Sequence, residues 1–389
     1  MPSRPPITEI SSHCVNVSPK TNWYFLRVRT SDGREAWGEA SLNGWEPLLE
    51  AATRLRAREL TGLDPDDAKA RLRVFSNSAG GLAANAVVSA LHQALETLEA
   101  EALGVPLHQA LAPQVRDRVP LYANINRATS TRTPAGFAET ARKAMQAGMK
   151  AFKAAPFDGV TPANCGTAEG LSRTRHGIDC LMAIRDAVGP DARVMVDCHW
   201  RFDEARALDV LAALKPVNLY WFECPVGEVY ANWPAMRRVR AKANESGILT
   251  AGAETQSGLA AFETVFKEGQ FDVVMPDVKY CGGPREMLRI ADMAAKYGVL
   301  FSPHNPTGPI CSVASTHVAA VAPECPMLEI QFDESAMFDR ILMNDTTLSR
   351  NGEMHVPSGP GLGVALDAKL LEGGPWQPVP FGNETLANG

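Results

Sequence analysis

Charge of one sign, long apolar runs and paired cysteines are what this 389-residue sequence lacks. Its formal net charge is only -6, with 38 basic against 44 acidic residues. No basic face invites nucleic acid or an anionic membrane surface. No apolar run reaches the length of a membrane span, and the start, MPSRPPITEI, shows no apolar core of a secretory signal. None of the eight cysteines (14, 165, 180, 198, 224, 281, 311 and 325) belongs to a C-x-x-C pair. Scattered over so long a chain, they read as reduced, core-packing thiols of a cytoplasmic protein, not as a disulfide framework or a zinc cluster. What is present, 45% hydrophobic and 21% charged residues, is ordinary for a globular chain with room for one large and one smaller domain.

The first ~118 residues read as an α+β unit. Residues 22–40 form a hairpin pattern: NWYFLRVRT alternates, SDG turns and REAWGEA returns. A loop carrying Asn43, Gly44, Trp45 and Glu46 leads to helical patterns over 46–60, 65–75 and 82–103. The third is apolar on most sides and stops at Gly104, as a buried helix would. From residue 119 the rhythm changes. Eight short apolar strands, beginning with VPLYANI, MKAFKAA and RVMVDCH, alternate with helices to about residue 354. Such alternation predicts parallel strands with right-handed crossovers, and eight repeats predict a (β/α)7–8 barrel of TIM type. An open doubly wound sheet is the other solution, but G-x-G-x-x-G is absent after the first strand. The Pro- and Gly-rich tail, 355–389, is expected to pack back on the N-terminal unit.

Barrel sites form where strands end. Seven of the eight strands finish on ionisable residues: Lys153, Asp197 with His199, Glu223, Glu254, Asp277, His304 and Glu329. A single carboxylate after a strand is more often a helix N-cap; seven strands closed into a barrel aim their ends at one point. Asp197, Glu223 and Glu254, on three adjacent strands, would repel one another without a cation. All-oxygen ligands suit Mg²⁺ or Mn²⁺, whereas zinc would draw on Cys or more His. Asp277 beside His304 would fix the imidazole tautomer and make His304 a general base. Asp197, His199 and Arg201 alternate and would share one face if the strand extends that far. His199 would then be a second acid/base. Lys153 and Glu329 would act on a bound carboxylate.

Taken together, these residues resemble the enolase superfamily, mandelate racemase-like subgroup, over nearly the whole chain. The resemblance rests on the capping unit, the carboxylates of strands three to five, the His–Asp dyad of strands seven and six, and the segment PSGPGLGVALD. It implies a modified barrel whose α+β cap is completed by the C-terminal tail. Relatives with two bases carry K-x-K on strand two; here Lys153-Ala154-Ala155 lacks the second lysine. The D-x-H-x-R pattern and HNPTGP are similar to those of the D-galactonate dehydratase family. Ala155 and Asn305 depart from its pattern. The resemblance implies a metal-dependent hydro-lyase acting on sugar acids, with His199 as the acid that expels the β-hydroxyl. It also implies a homo-oligomer, dimer to octamer. Asn43, Trp45 and Arg201 become candidates for substrate binding. An epimerase, racemase or lactone cycloisomerase would share the metal and base, and a barrel kept for assembly would share only the metal.

Overall fold

The computed structural model describes residues 4–73, 81–343 and 348–372. Strands β1 (Ile7–Ser18), β2 (Thr21–Thr30) and β3 (Glu35–Glu39) form an antiparallel sheet in that order. Helices α1 (Glu46–Leu60), α2 (Pro65–Arg71) and α3 (Gly81–Leu103) follow. Asp64 caps α2 by accepting the Asp66 and Asp67 N–H groups, with Pro65 fitting the first turn. Helix α2 ends at Arg71, short of the expected residue 75; positions 74 and 75 lie outside the described residues. The apolar girth of α3 has a reason. One side covers the sheet so closely that a Cβ on Gly38 would stand 1.8 Å from the Ala90 carbonyl oxygen, and the other faces the barrel, where Ser89 Oγ accepts the Gly282 N–H.

After the short helix α4 (Leu107–Leu111), eight parallel strands close a ring. They are β4 (Arg118–Asn124), β5 (Ala151–Ala154), β6 (Arg193–Asp197), β7 (Trp221–Glu223), β8 (Leu249–Gly252), β9 (Val273–Val274), β10 (Leu300–Phe301) and β11 (Leu328–Gln331). Each pairs with the next as far as β10, and β11 returns to pair with β4. The seam between β10 and β11 is held by side chains: Ser302 Oγ donates to the Met327 carbonyl and Asn305 Nδ2 to that of Glu329. Seven crossover helices surround the ring: α5 (Pro134–Gln146), α6 (Ala168–Val188), α7 (Glu204–Ala213), α8 (Trp233–Asn244), α9 (Leu259–Lys267), α10 (Pro284–Lys296) and α11 (Pro309–Val321). Helix α6 starts six residues before the expected 174, because Thr167 accepts the Gly170 N–H there. No full-length eighth helix follows β11 among the described residues. Its place is taken by the four-residue α12 (Met337–Arg340) and a hairpin of β12 (Ser349–Arg350) and β13 (Glu353–His355), which pairs with β4.

Period-two alternation sorts the strand side chains. Ala151, Met195 and Trp221 pack with Tyr122, Ala251, Val273, Met275 and Met327 in one buried cluster. Tyr122 and Trp221 meet edge to face at 5.3 Å. Two residues further along their strands stand Lys153, Asp197 and Glu223, so the charged layer rests on an apolar floor. The described part of the tail reaches back toward the N-terminal unit: Leu107 N–H donates to the Gly361 carbonyl, and α13 (Ala368–Glu372) lies against β1. Residues 373–389 lie outside the described residues.

Candidate active site

Asp197, Glu223 and Glu254 each offer a carboxylate oxygen, and these oxygens lie within 4.8 Å of one another. All three side chains are buried. Burial raises the Glu223 pKa to about 8 against the pull of Lys153, and burial with the charges of Asp197 and Glu223 raises that of Glu254 well above the carboxylate range. Asp197 goes the other way. Burial works against its charge, but the His199 imidazole and Lys153 hold it below the usual range. Three buried carboxylates with two pKa values pushed up by crowding and desolvation are the electrostatic demand of a cation. An oxygen-only donor set fits a hard divalent ion.

Lys153 Nζ stands 2.6 Å from Glu223 Oε1 and 2.9 Å from Glu329 Oε1. Burial alone would discharge it, but these two carboxylates raise its pKa well above the ordinary value. Lys150 is exposed, as strand alternation requires. Glu329 also accepts from Asn124 Nδ2 at 2.7 Å and from the Asn305 N–H at 3.0 Å. Burial opposes its charge, yet the Lys153 charge and the Asn305 N–H keep it ionised. It therefore presents donors, Lys153 and Asn124, and offers no proton of its own.

On the far strands, Asp277 Oδ2 lies 2.7 Å from His304 Nδ1. A carboxylate at Nδ1 calls for a proton there, which leaves the Nε2 lone pair on the other side of the ring, 3.6 Å from Glu254 Oε2. Burial lowers the His304 pKa against the opposite pull of Glu329 and Asp277, so the neutral base prevails at pH 7. The second imidazole, His199, pairs through Nε2 with Asp197 Oδ2 at 2.7 Å. The two imidazoles thus touch different members of the triad.

Arg201 does not share that face. Strand β6 stops at Asp197, and His199 and Trp200 take left-handed conformations (φ 47° and 56°), which ends the alternation. The buried Arg201 guanidinium donates to the Val160 carbonyl. Asn43 Oδ1 accepts the Asn22 N–H, and Trp45 packs at the edge of the cap's core. Both serve the capping loop they stand on. Cys198 and Cys224 are buried behind the site, and all eight cysteines are free thiols.

Sequence reasoning missed three residues. Lys279 Nζ lies 3.0 Å from Asp277 Oδ2, a buried cation beside the dyad's carboxylate. Its signal was the D-x-K spacing after strand six. Trp221 Nε1 donates to Glu223 Oε2 at 2.8 Å and fixes that carboxylate's second oxygen; period two alone places both on one face. Glu228, five residues beyond Glu223 in a loop, carried no such signal.

Residues 136–370 match the family model described as enolase C-terminal domain-like, and the chain belongs to the enolase superfamily. Within it, the chain is 32% identical over 372 residues to D-gluconate dehydratase of Thermoproteus tenax, covering 93% of this chain and 72% of that one. It is 28% identical over 372 residues to D-galactonate dehydratase of Variovorax paradoxus, covering 92% of each. A mandelate racemase/muconate lactonizing enzyme-like protein of Rubrobacter xylanophilus superposes with a TM-score of 0.85 at 25% identity, over 97% of this chain and all of that one. A Burkholderia xenovorans protein solved with magnesium and fumarate superposes at 0.81 and 22% identity, over 95% and 96%.

Proposed function

We propose that this protein is a metal-dependent acid-sugar dehydratase, a hydro-lyase that converts an aldonic-type acid to its 2-keto-3-deoxy product. One observation carries the reading: a neutral, carboxylate-oriented imidazole and a second imidazole flank one buried carboxylate triad. The relatives named as gluconate and galactonate dehydratases support it.

Asp197, Glu223 and Glu254 would hold the divalent ion, Mg²⁺ or Mn²⁺, which supplies positive charge opposite a bound carboxylate. His304 Nε2 takes the proton α to that carboxylate, while Asp277 keeps the ring oriented and steadies its positive charge. Lys153 places its charge where the enediolate develops. His199 delivers a proton to the β-hydroxyl as the carbon–oxygen bond breaks. The pair of electrons released by the α-carbon forms the double bond, water leaves, and the enol ketonises. Asn43, Trp45 and Arg201 contribute to recognition through the loops that they hold. The eight free thiols favour a reducing compartment, the cytoplasm, and assembly is proposed as a symmetric homo-oligomer.

The test is a screen of Mg²⁺-loaded protein against aldonic and aldaric acids, with semicarbazide trapping of any α-keto product. Loss of 18 mass units, about one water per turnover, is expected from elimination. A product of unchanged mass would mean epimerisation or cycloisomerisation instead. Ala155, where a second lysine base would stand, speaks against a two-base racemase. With a substrate in hand, His304→Asn should lose α-proton exchange in deuterated water by ~10²–10⁴. Exchange surviving near the wild-type rate would remove His304 as the base.

A further inference from the structure

Non-glycine residues rarely adopt positive φ, and such strain persists only where its surroundings enforce it. Seven do so among the described residues, and four of them adjoin the carboxylate triad. His199 and Trp200 (φ 47° and 56°) follow Asp197, Cys224 (φ 45°) follows Glu223, and Ala253 (φ 72°) precedes Glu254. Every ligand-bearing strand therefore ends in a left-handed turn.

One side chain reaches all three turns. Glu228, in the loop between β7 and α8, accepts Trp200 Nε1 at 3.2 Å through Oε1. The Ala253 N–H lies 3.1 Å from both of its carboxylate oxygens. Cys224 Sγ stands 3.4 Å from Oε1, and 3.9 Å from Oε2 of Glu254. The packing around Gly252 is tight: a Cβ there would fall 2.6 Å from the Phe271 ring and 2.7 Å from Glu228 Oε1. Glu228 also lines a cavity of about 750 Å³ with Trp200, Phe202, Asn85, Thr255 and Ser257. It thus sits outside the triad while touching what surrounds it.

We propose that Glu228 is a positioning residue for the metal triad, its carboxylate clamping the three left-handed turns that aim Asp197, Glu223 and Glu254 at one point. The proposal rests on the reading that the triad holds a divalent ion. A carboxylate suits the task, because its two oxygens can take several donors from separate strands. Supports of this kind typically govern metal affinity by ~10–100-fold.

The experiment is titration of metal-free protein with Mn²⁺, followed by calorimetry and by the electron paramagnetic resonance of free Mn²⁺. Wild type, Glu228→Gln and Trp200→Phe are compared, with melting temperature and circular dichroism as fold controls. Glu228→Gln keeps the shape but replaces one acceptor oxygen by a donor. Its Kd should rise by ~10–100-fold with the melting temperature little changed. Trp200→Phe removes one donor and should weaken binding less, and the two changes, which act at one shared contact, should not add in full. A folded Glu228→Gln protein with the wild-type Kd overturns the clamp and leaves the triad reading intact. A wild type that binds no Mn²⁺ overturns the triad reading itself. If Glu228→Gln does not fold, Trp200→Phe decides: a raised Kd supports the clamp and an unchanged one rejects it.

Discussion

Lys153 carries its charge between two buried carboxylates, 2.6 Å from one and 2.9 Å from the other. Alone, a buried ammonium would give up its proton; between Glu223 and Glu329 it keeps it. The same logic separates the two imidazoles. His304 is held neutral by burial and turned by Asp277, whereas His199 leans on the acidic Asp197. If the roles divide this way, His199→Asn should lower dehydration by ~10²–10⁴ while α-proton exchange continues. Proton magnetic resonance in deuterated water reads both at once, and joint loss of exchange and elimination would defeat the division. The strand-end residues were legible because each follows a short apolar run. Arg201 leaves the face expected of it because the alternation does not extend past the end of β6, where the chain enters a turn whose φ changes sign.

At the scale of elements, the cap and barrel meet through buried polar contacts. Glu39, the last residue of β3, accepts the Gly308 and Cys311 N–H groups at the N-terminus of α11, just after the His304 loop. A carboxylate there suits the helix dipole. Further along α11, His317 Nε2 bonds the Leu362 carbonyl at 3.0 Å, and its Nδ1 lies 3.0 Å from His108 Nδ1 of α4. The carbonyl needs a proton on Nε2, so His317 Nδ1 must accept and His108 must donate. Burial lowers the His317 pKa to about 4 from 6.5, with His108 adding to the effect. The unfolded chain therefore binds this proton first. Stability from this group is present above pH 6.5 and lost as pH falls toward 4, on the order of 3 kcal/mol in all. Urea midpoints measured from pH 7 to 5 should fall more steeply for wild type than for His317→Gln. Parallel curves would count against the junction as an acid-sensitive one. None of this was legible beforehand, because residues 108 and 317 are joined by packing, not by any spacing.

For the whole molecule, a triad that holds a divalent ion, as proposed, would couple folding to metal. Bringing three carboxylates together without a cation is unfavourable, so an ion that binds only the folded form should raise the melting temperature. At a hundredfold excess of Mg²⁺ over its Kd the gain is about 2.7 kcal/mol, reversed by chelation. Asp197→Asn should blunt that response, and a wild-type melt indifferent to Mg²⁺ and chelator would sink the metal assignment. No helix among the described residues is long and apolar enough to cross a membrane.

The eight-stranded barrel, the cap's hairpin over 22–40 and the identities of the strand-end residues follow from the sequence by itself, because period-two and helical patterns repeat and seven of the eight strands lead into an ionisable residue; β1 (Ile7–Ser18), the cap's first strand, was not read there. The tertiary structure alone decided which side chains meet. It brought Lys279 to Asp277 and Glu228 to three separate turns, and it replaced an eighth helix by a hairpin on β4. It also turned Arg201 away to Val160. The physical reason is range. Local pattern fixes the direction of a side chain within one element, but a contact between loops depends on barrel closure and on the sign of φ at a few residues, and neither is written in any single stretch of the chain.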